Sequence, residues 1–412
     1  MSDAFRRTPR ITPAIAALAA LAVIGGFAFW YQSRSGGGAE RALAFGLRAL
    51  RPGEDPAAYV REQFFTCFGQ NLGYWRSPCY RAFAQALIGR FGFAGSLSAI
   101  KSVETEPGID GQCHSFVHLL AHEEFRRTQS LPETFAQCRI VCGEGCYHGT
   151  VEAYVREQGL GGAADETFAE AIRRSCEAAR ADPRRIIYQH CIHGLGHAFA
   201  LAASFDLSRS LALCDRFAPA TPRDQCWSGV FMEYVFSEAP SGLAELFGPD
   251  DPVSPCTAFA PRYRGTCYGA QAAFFLDRHR NDWAGAADLC SRTVPPPYRR
   301  ECFAAIGAGA VLPYRQDLAM LKRVCDVAPA GELRSGCLEG SIAFLSFAES
   351  GDPVRIAAYC RAVASGDREG CFRFLGVGVT EWFPQEQRDE QCRRVGPDPK
   401  EQHWCRAGLA VD

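Results

Sequence analysis

Residues 317–348, DLAMLKRVCDVAPAGELRSGCLEGSIAFLSFA, hold one complete unit of a pattern that this 412-residue chain writes repeatedly. Asp317 stands eight residues before Cys325. A carboxylate there accepts from the free amides of a first helical turn, so Asp317 reads as an N-cap and the stretch to Cys325 as a helix A. A turn with Pro329 and Gly331 follows. Cys337 then opens a strongly apolar helix B with Gly340 near its start.

Working outward, Asp206, Asp282 and Asp352 precede Cys214, Cys290 and Cys360 by the same eight residues. Pro353 after Asp352 occupies the first helical position, where its missing N–H costs nothing. Ser130-Leu-Pro-Glu133 is a capping box eight residues before Cys138. The cysteines fall into pairs: Cys176/Cys191, Cys214/Cys226, Cys256/Cys267, Cys290/Cys302, Cys325/Cys337, Cys360/Cys371 and Cys392/Cys405. The second members advance by 35, 41, 35, 35, 34 and 34 residues, a period that marks a stacked repeat array. The longer step coincides with the Gly- and Pro-bearing stretch 239–255, expected to be a loop insertion. Helix B of several units carries an early glycine (Gly149, Gly194, Gly229, Gly340, Gly408), which would let neighbouring helices approach closely.

Upstream, Cys67/Cys79 makes another unit. The capping box marks Cys138 as a helix A cysteine, so Cys138/Cys146 is the regular staple and Cys142 reaches back to Cys113. A structural zinc on these four cysteines is the rival reading. The expected fold is all-α: an α-solenoid of about nine or ten disulfide-stapled helical hairpins. The period and the two-helix unit resemble those of tetratricopeptide-type repeats, especially disulfide-linked bacterial varieties, although the aromatic and proline signature of that family is not kept. What the resemblance implies is architecture: hairpins that cannot bury their own apolar faces and therefore stack.

Composition sets the class. The chain is 47% hydrophobic and 22% charged with a net charge of −2, hence globular. With both signs interspersed it offers no basic face for nucleic acid. Residues 11–31, ITPAIAALAALAVIGGFAFWY, carry no charge and reach roughly 30 Å as a helix, the thickness of a bilayer core. Arg6, Arg7 and Arg10 precede this segment. The expectation is a single-pass membrane protein with a cytoplasmic tail (1–10), an anchor (11–31), a linker (32–54) and an extracytoplasmic repeat domain (55–412), periplasmic or extracellular. A cleaved signal peptide is the competing reading. Twenty cysteines, all beyond the apolar segment, point to an oxidising compartment.

The histidines are concentrated. Seven of nine lie between His114 and His197, within a histidine-rich part spanning 113–200. His114, His118 and His122 are spaced i, i+4, i+8; His148 and Glu152 are i, i+4; so are His193 and His197. Residues four apart share a helix face. All three segments follow a second cysteine, so they are helices B of consecutive units. Counted from each cysteine, the residues form two layers: His114, His148 and His193, then His118, Glu152 and His197. These six are the candidate metal ligands. Imidazole and carboxylate suit Zn, Fe, Cu or Ni, held as one ion or as two bridged by Glu152. Tyr147, Tyr154, Tyr188, Glu123 and Glu233 are candidates for supporting roles, and His190 is expected to point elsewhere. No H-E-x-x-H, C-x-x-C-H, C-x-x-C, P-loop or G-x-S-x-G motif occurs. The absence of C-x-x-C-H argues against attached haem, leaving non-covalent bis-His haem open.

Three functions compete on this reading. One is a metal-dependent enzyme of the cell envelope, with oxidoreductase favoured over hydrolase. The second is a repeat scaffold binding an envelope protein or peptide, with a structural histidine cluster. The third is metal or haem binding and delivery.

Overall fold

A computed structural model describes residues 46–49, 51, 53–67, 77–109, 112–142, 145–157, 173–174, 176–217, 222–236, 254–279 and 281–410. Among them the regular structure is helical, with no strand. In chain order the helices that build the array are α1 Pro56–Gln63, α2 Pro78–Lys101, α3 Cys113–Thr128, α4 Leu131–Gln137, α5 Gly145–Glu157 and α6 Arg185–Ala202. They continue as α7 Leu207–Cys214, α8 Arg223–Phe236, α9 Pro261–Arg278, α10 Trp283–Asp288, α11 Arg299–Tyr314 and α12 Leu318–Asp326. The last are α13 Glu332–Ala348, α14 Pro353–Ala362, α15 Arg368–Trp382, α16 Gln385–Arg394 and α17 Pro399–Gly408.

The caps are where the residues put them. Asp206 accepts from the Arg209 amide, Asp282 from Gly285, Asp317 from Met320 and Asp352 from Val354. Ser130 accepts from Glu133. Asp55, Ser77 and Asp398 cap three further helices. Every capped A helix is short and needs tertiary support, because helices of this length are marginal alone.

That support is the stack. The B helices pack in one unbroken row, α2–α3–α5–α6–α8–α9–α11–α13–α15–α17, and the short A helices α4, α7, α10, α12, α14 and α16 each seat against two neighbouring B helices. All ten expected disulfides form, Cys113–Cys142 and Cys138–Cys146 included, so the four-cysteine zinc alternative falls away. Nine close loops with separations of 8 to 15 residues and contribute about 2–3 kcal/mol each in the chain-entropy account, and Cys113–Cys142, with a separation of 29, somewhat more. One detail differs from expectation. The second cysteine stands at the start of helix B in α2, α3 and α5, as expected, but lies up to two turns inside it later, as Cys191 in α6 and Cys267 in α9 show. His190 is therefore helical and buried.

The array curls back on itself. Arg315 donates to the Glu104 carbonyl at 2.8 Å and Lys101 Nζ lies 2.6 Å from Ser350 Oγ. Gln189 donates to Glu381 at 2.6 Å, and the His190 ring meets Phe347 edge-on at 5.0 Å between centroids. The late units therefore close over the early ones instead of extending away from them.

The membrane placement is corrected. Among the described residues no helix is long and apolar enough to cross a membrane. The tail, the segment 11–31 and most of the linker lie outside the described residues, as does most of the 239–255 insertion. What speaks to environment is the set of ten disulfides, which suits an oxidising setting.

Candidate metal centre

Three consecutive B helices, α3, α5 and α6, carry the histidines, and two glycines set how closely these helices and the next lie. A Cβ added at Gly149 would fall inside contact distance of the His118 carbonyl, and one at Gly229 of the His193 carbonyl. Only glycine permits this approach, so α5 lies directly on the His118 turn of α3, and α8 on the His193 turn of α6.

The result joins all six candidate residues. His114, His118 and His148 present ligand atoms within 4.8 Å of one another; so do His148, His193 and His197, and so do Glu152, His197 and Glu233. The two layers read from the cysteine register are present. In the first, ring centroids of His114 and His148 are 5.6 Å apart and those of His148 and His193 4.8 Å. In the second, Glu152 Oε1 lies 3.3 Å from His118 Nδ1 and 4.0 Å from His197 Nδ1.

The hydrogen bonds assign tautomers. His114 Nδ1 lies 2.9 Å from the Cys142 carbonyl. A carbonyl only accepts, so this nitrogen carries the proton. His118 Nδ1 faces the Glu152 carboxylate, and His197 Nδ1 lies 2.8 Å from Glu233 Oε2. Each of these rings, when neutral, keeps its lone pair on Nε2. The Nε2 atoms of His114 and His118 meet at 3.0 Å, and that of His197 meets His193 Nε2 at 3.2 Å. Two ligands about 2.0–2.1 Å from one ion are about 2.8–3.4 Å apart at octahedral to tetrahedral angles. Both gaps fall in that range. Nδ1 protons given to carboxylates or carbonyls while Nε2 lone pairs converge is how metal-ligating histidines are held.

Electrostatics point the same way. His118, His122, His148, His193, His197, Glu152 and Glu233 are at most 9% exposed. Burial, aided by His118, depresses His114 to about 3. Burial likewise depresses His122 to about 4, against the pull of Glu152. His148 and His193 sit well below their ordinary value through burial and neighbouring imidazoles. For Glu152 burial opposes ionisation, but His118 and the hydrogen bonds from His118 and His122 outweigh it and hold the carboxyl well below its usual range. His114, His122, His148 and His193 are thus held neutral beside the anionic Glu152 carboxylate, the pairing of donors a cation requires.

Support runs outward into the fold. Cys142 adopts a left-handed backbone (φ 50°), which aims its carbonyl at His114. Its amide donates to Glu104 Oε2 at 2.6 Å. Glu104 also pairs with Lys101, and Lys101 reaches Ser350 across the superhelix. The closing contact is therefore wired to the outer hydrogen bonds of the centre.

Two residues of the centre were outside the candidate ligand set. His122 Nε2 lies 3.7 Å from Glu152 Oε2; its i+8 spacing from His114 was the available signal. Glu233 was only a supporting candidate. It stands seven residues after Cys226, one beyond the height of Glu152 and His197, so the cysteine register carried one unit further falls on its neighbour Met232. Glu123 belongs elsewhere: it accepts from Gln85 and Arg126 and pairs with Arg81. Tyr147 donates to the Cys138 carbonyl and faces away, toward a cavity of about 830 Å³ whose lining also includes Tyr154, Arg139 and Arg184 and none of the histidines. No protein-family model, curated protein or solved structure matches this chain.

Proposed function

We propose that this chain is a metalloprotein, and that its histidine cage serves oxidoreductase chemistry on a small substrate. The observation that carries the reading is the pair of Nε2–Nε2 approaches at 3.0 and 3.2 Å, between rings of which three have their Nδ1 engaged by a carbonyl or carboxylate. In the His114–His118 pair both Nδ1 atoms are so engaged, and the two Nε2 lone pairs aimed at one another repel unless a cation lies between them. Between His114 and His118 a proton would serve only by burying an imidazolium, which the depression of His114 opposes. His114, His118, His148, His193 and His197 would be the nitrogen ligands. Glu152 and Glu233 would orient His118 and His197 and balance charge.

A bound copper or iron ion would supply electron transfer to or from a substrate drawn up against it. Neutral imidazoles suit these metals as well as zinc. Hydrolysis is less well served. The two carboxylates that a metal-assisted hydrolase would use as base are committed to imidazoles, and the burial leaves little room for a bulky substrate. The protein's own residues would exclude bulk water, fix the ligand tautomers, and let the Glu152–His118 pair hold or release a proton. A haem fits poorly, because it needs imidazoles facing one another across a macrocycle, whereas these rings touch directly. The scaffold alternative is weakened by the closure of the late units over the early ones.

The test is metal content with turnover. Protein produced in an oxidising compartment should carry stoichiometric copper or iron and oxidise small electron donors, with dioxygen or peroxide as the acceptor that is reduced. His193→Ala should remove both metal and turnover and leave the helical circular dichroism in place. Bound metal with no turnover would convert the reading to metal capture; no bound metal would end it.

A further inference from the structure

We infer that the centre is dinuclear, with the His148 imidazole bridging two metal ions; this rests on the metal-centre reading above. The cage is nearly symmetric about α5. On one side α3 contributes His114 and His118; on the other α6 contributes His193 and His197. Each pair is spaced i, i+4 and each closes Nε2 to Nε2, at 3.0 and 3.2 Å. Each pair is a two-nitrogen clamp for one ion.

Between the clamps stands α5, and it presents one residue to both at each level. His148 completes the α3 clamp into a three-ligand group and the α6 clamp into another. Its ring is 5.6 and 5.3 Å from His114 and His118 and 4.8 Å from both His193 and His197, centroid to centroid. Four residues on, Glu152 takes the matching position on the Nδ1 side, 3.3 Å from His118 and 4.0 Å from His197. The middle helix thus shares an imidazole on the ligand side and a carboxylate on the supporting side. A mononuclear centre has no use for two clamps around a common ring. An imidazole has two nitrogens on opposite edges and so can serve both ions at once. Sequence alone had suggested Glu152 as the bridge; the geometry assigns that place to His148.

The chemistry balances without any oxidant. Two metal–nitrogen bonds form at His148, its remaining ring N–H bond breaks, and that proton leaves to solvent. No electron is transferred.

Copper(II) is the probe, because two such ions joined through one imidazolate couple their spins. Intact wild-type protein is loaded with excess copper(II), freed of unbound ion, and examined by elemental analysis and low-temperature electron paramagnetic resonance. The inference expects two copper ions per chain and an integrated spin signal far below two. His148→Ala should bring the signal up to match its copper content. Two coppers at full spin intensity in the wild type, or one copper per chain, would overturn the bridge and leave the metal-centre reading standing. No retained copper would overturn both. The wild-type stoichiometry and spin count decide the matter even if His148→Ala does not fold.

Discussion

The turns that carry α3, α5 and α6 and the turns that carry α11, α13 and α15 are built on one plan. Both use Asp or Ser caps, short stapled loops and glycine contacts between adjacent B helices. They differ at two heights on helix B. Two residues after the second cysteine the early turns have His148 and His193, and the late turns Ala304, Glu339 and Arg373. Six residues after it the early turns have Glu152 and His197, and the late turns Ala308, Ala343 and Val377. The early side chains are buried; the late ones are exposed or half-buried. The late turns stack as well as the early ones with none of those imidazoles. The solenoid therefore does not need histidine at these heights, and five or more buried imidazoles make sense only if something else does.

The largest expected effect breaks the comparison at its centre. His193→Ala should weaken copper or zinc binding at least 100-fold, since it removes a ligand and not merely a supporting hydrogen bond. Glu339→Ala, at the same height in a late turn, should leave affinity unchanged. Competition against a chromophoric chelator reads both; similar losses would mean the two regions do not differ in kind.

Acid should separate the regions next. His122 is depressed to about 4 and His114 to about 3 in the folded chain, against about 6.5 unfolded. Between those values the unfolded state binds more protons, so stability rises with pH. The contribution is fully present above about pH 6.5 and is lost as pH falls toward 4, worth about 3 kcal/mol for His122 alone. Melts of metal-free protein across pH 4–8 should show it. Hydrogen exchange should place the early loosening in α3, α5 and α6 and spare α13 and α15. Uniform loosening would contradict the assignment.

A milder change sharpens the role of the outer hydrogen bonds. Glu233→Gln keeps the shape but weakens the hold on the His197 Nδ1 proton, and metal affinity should fall about 10–100-fold with little change in melting temperature. A drop in melting temperature without loss of affinity would make Glu233 a packing residue. The smallest effect should be blind to the comparison. Asp206→Ala and Asp317→Ala each remove an N-cap and should cost about 1 kcal/mol, measured by denaturant unfolding, without touching metal affinity.

Much of this was legible in the residues because local rules wrote it. Asp317, Cys325 and Cys337 declare their helices through capping and spacing, and the eight regular pairings follow, whereas zinc stayed a rival for Cys113, Cys138, Cys142 and Cys146 until the fold joined them as disulfides. The two ligand layers were legible because the cysteine of each unit fixes a height, and stacked units keep heights in step. What escaped depends on rotation between units, which no single repeat encodes. Closure of the array, seen in Gln189 with Glu381 and Arg315 with Glu104, accumulates over several units from small angles. The drift by one residue that brings Glu233 rather than its neighbour to His197 has the same origin. The membrane expectation came from 11–31 alone, and no helix among the described residues supports it.

If the imidazole Nε2 atoms converge on a metal ion, its first coordination shell must be nitrogen. X-ray absorption at the metal edge of the native protein tests it most directly. The account predicts a first shell dominated by nitrogen at about 2.0–2.1 Å, with the outer-shell pattern of several imidazoles. A sulfur shell, an oxygen-only shell, or no metal edge at all would contradict it.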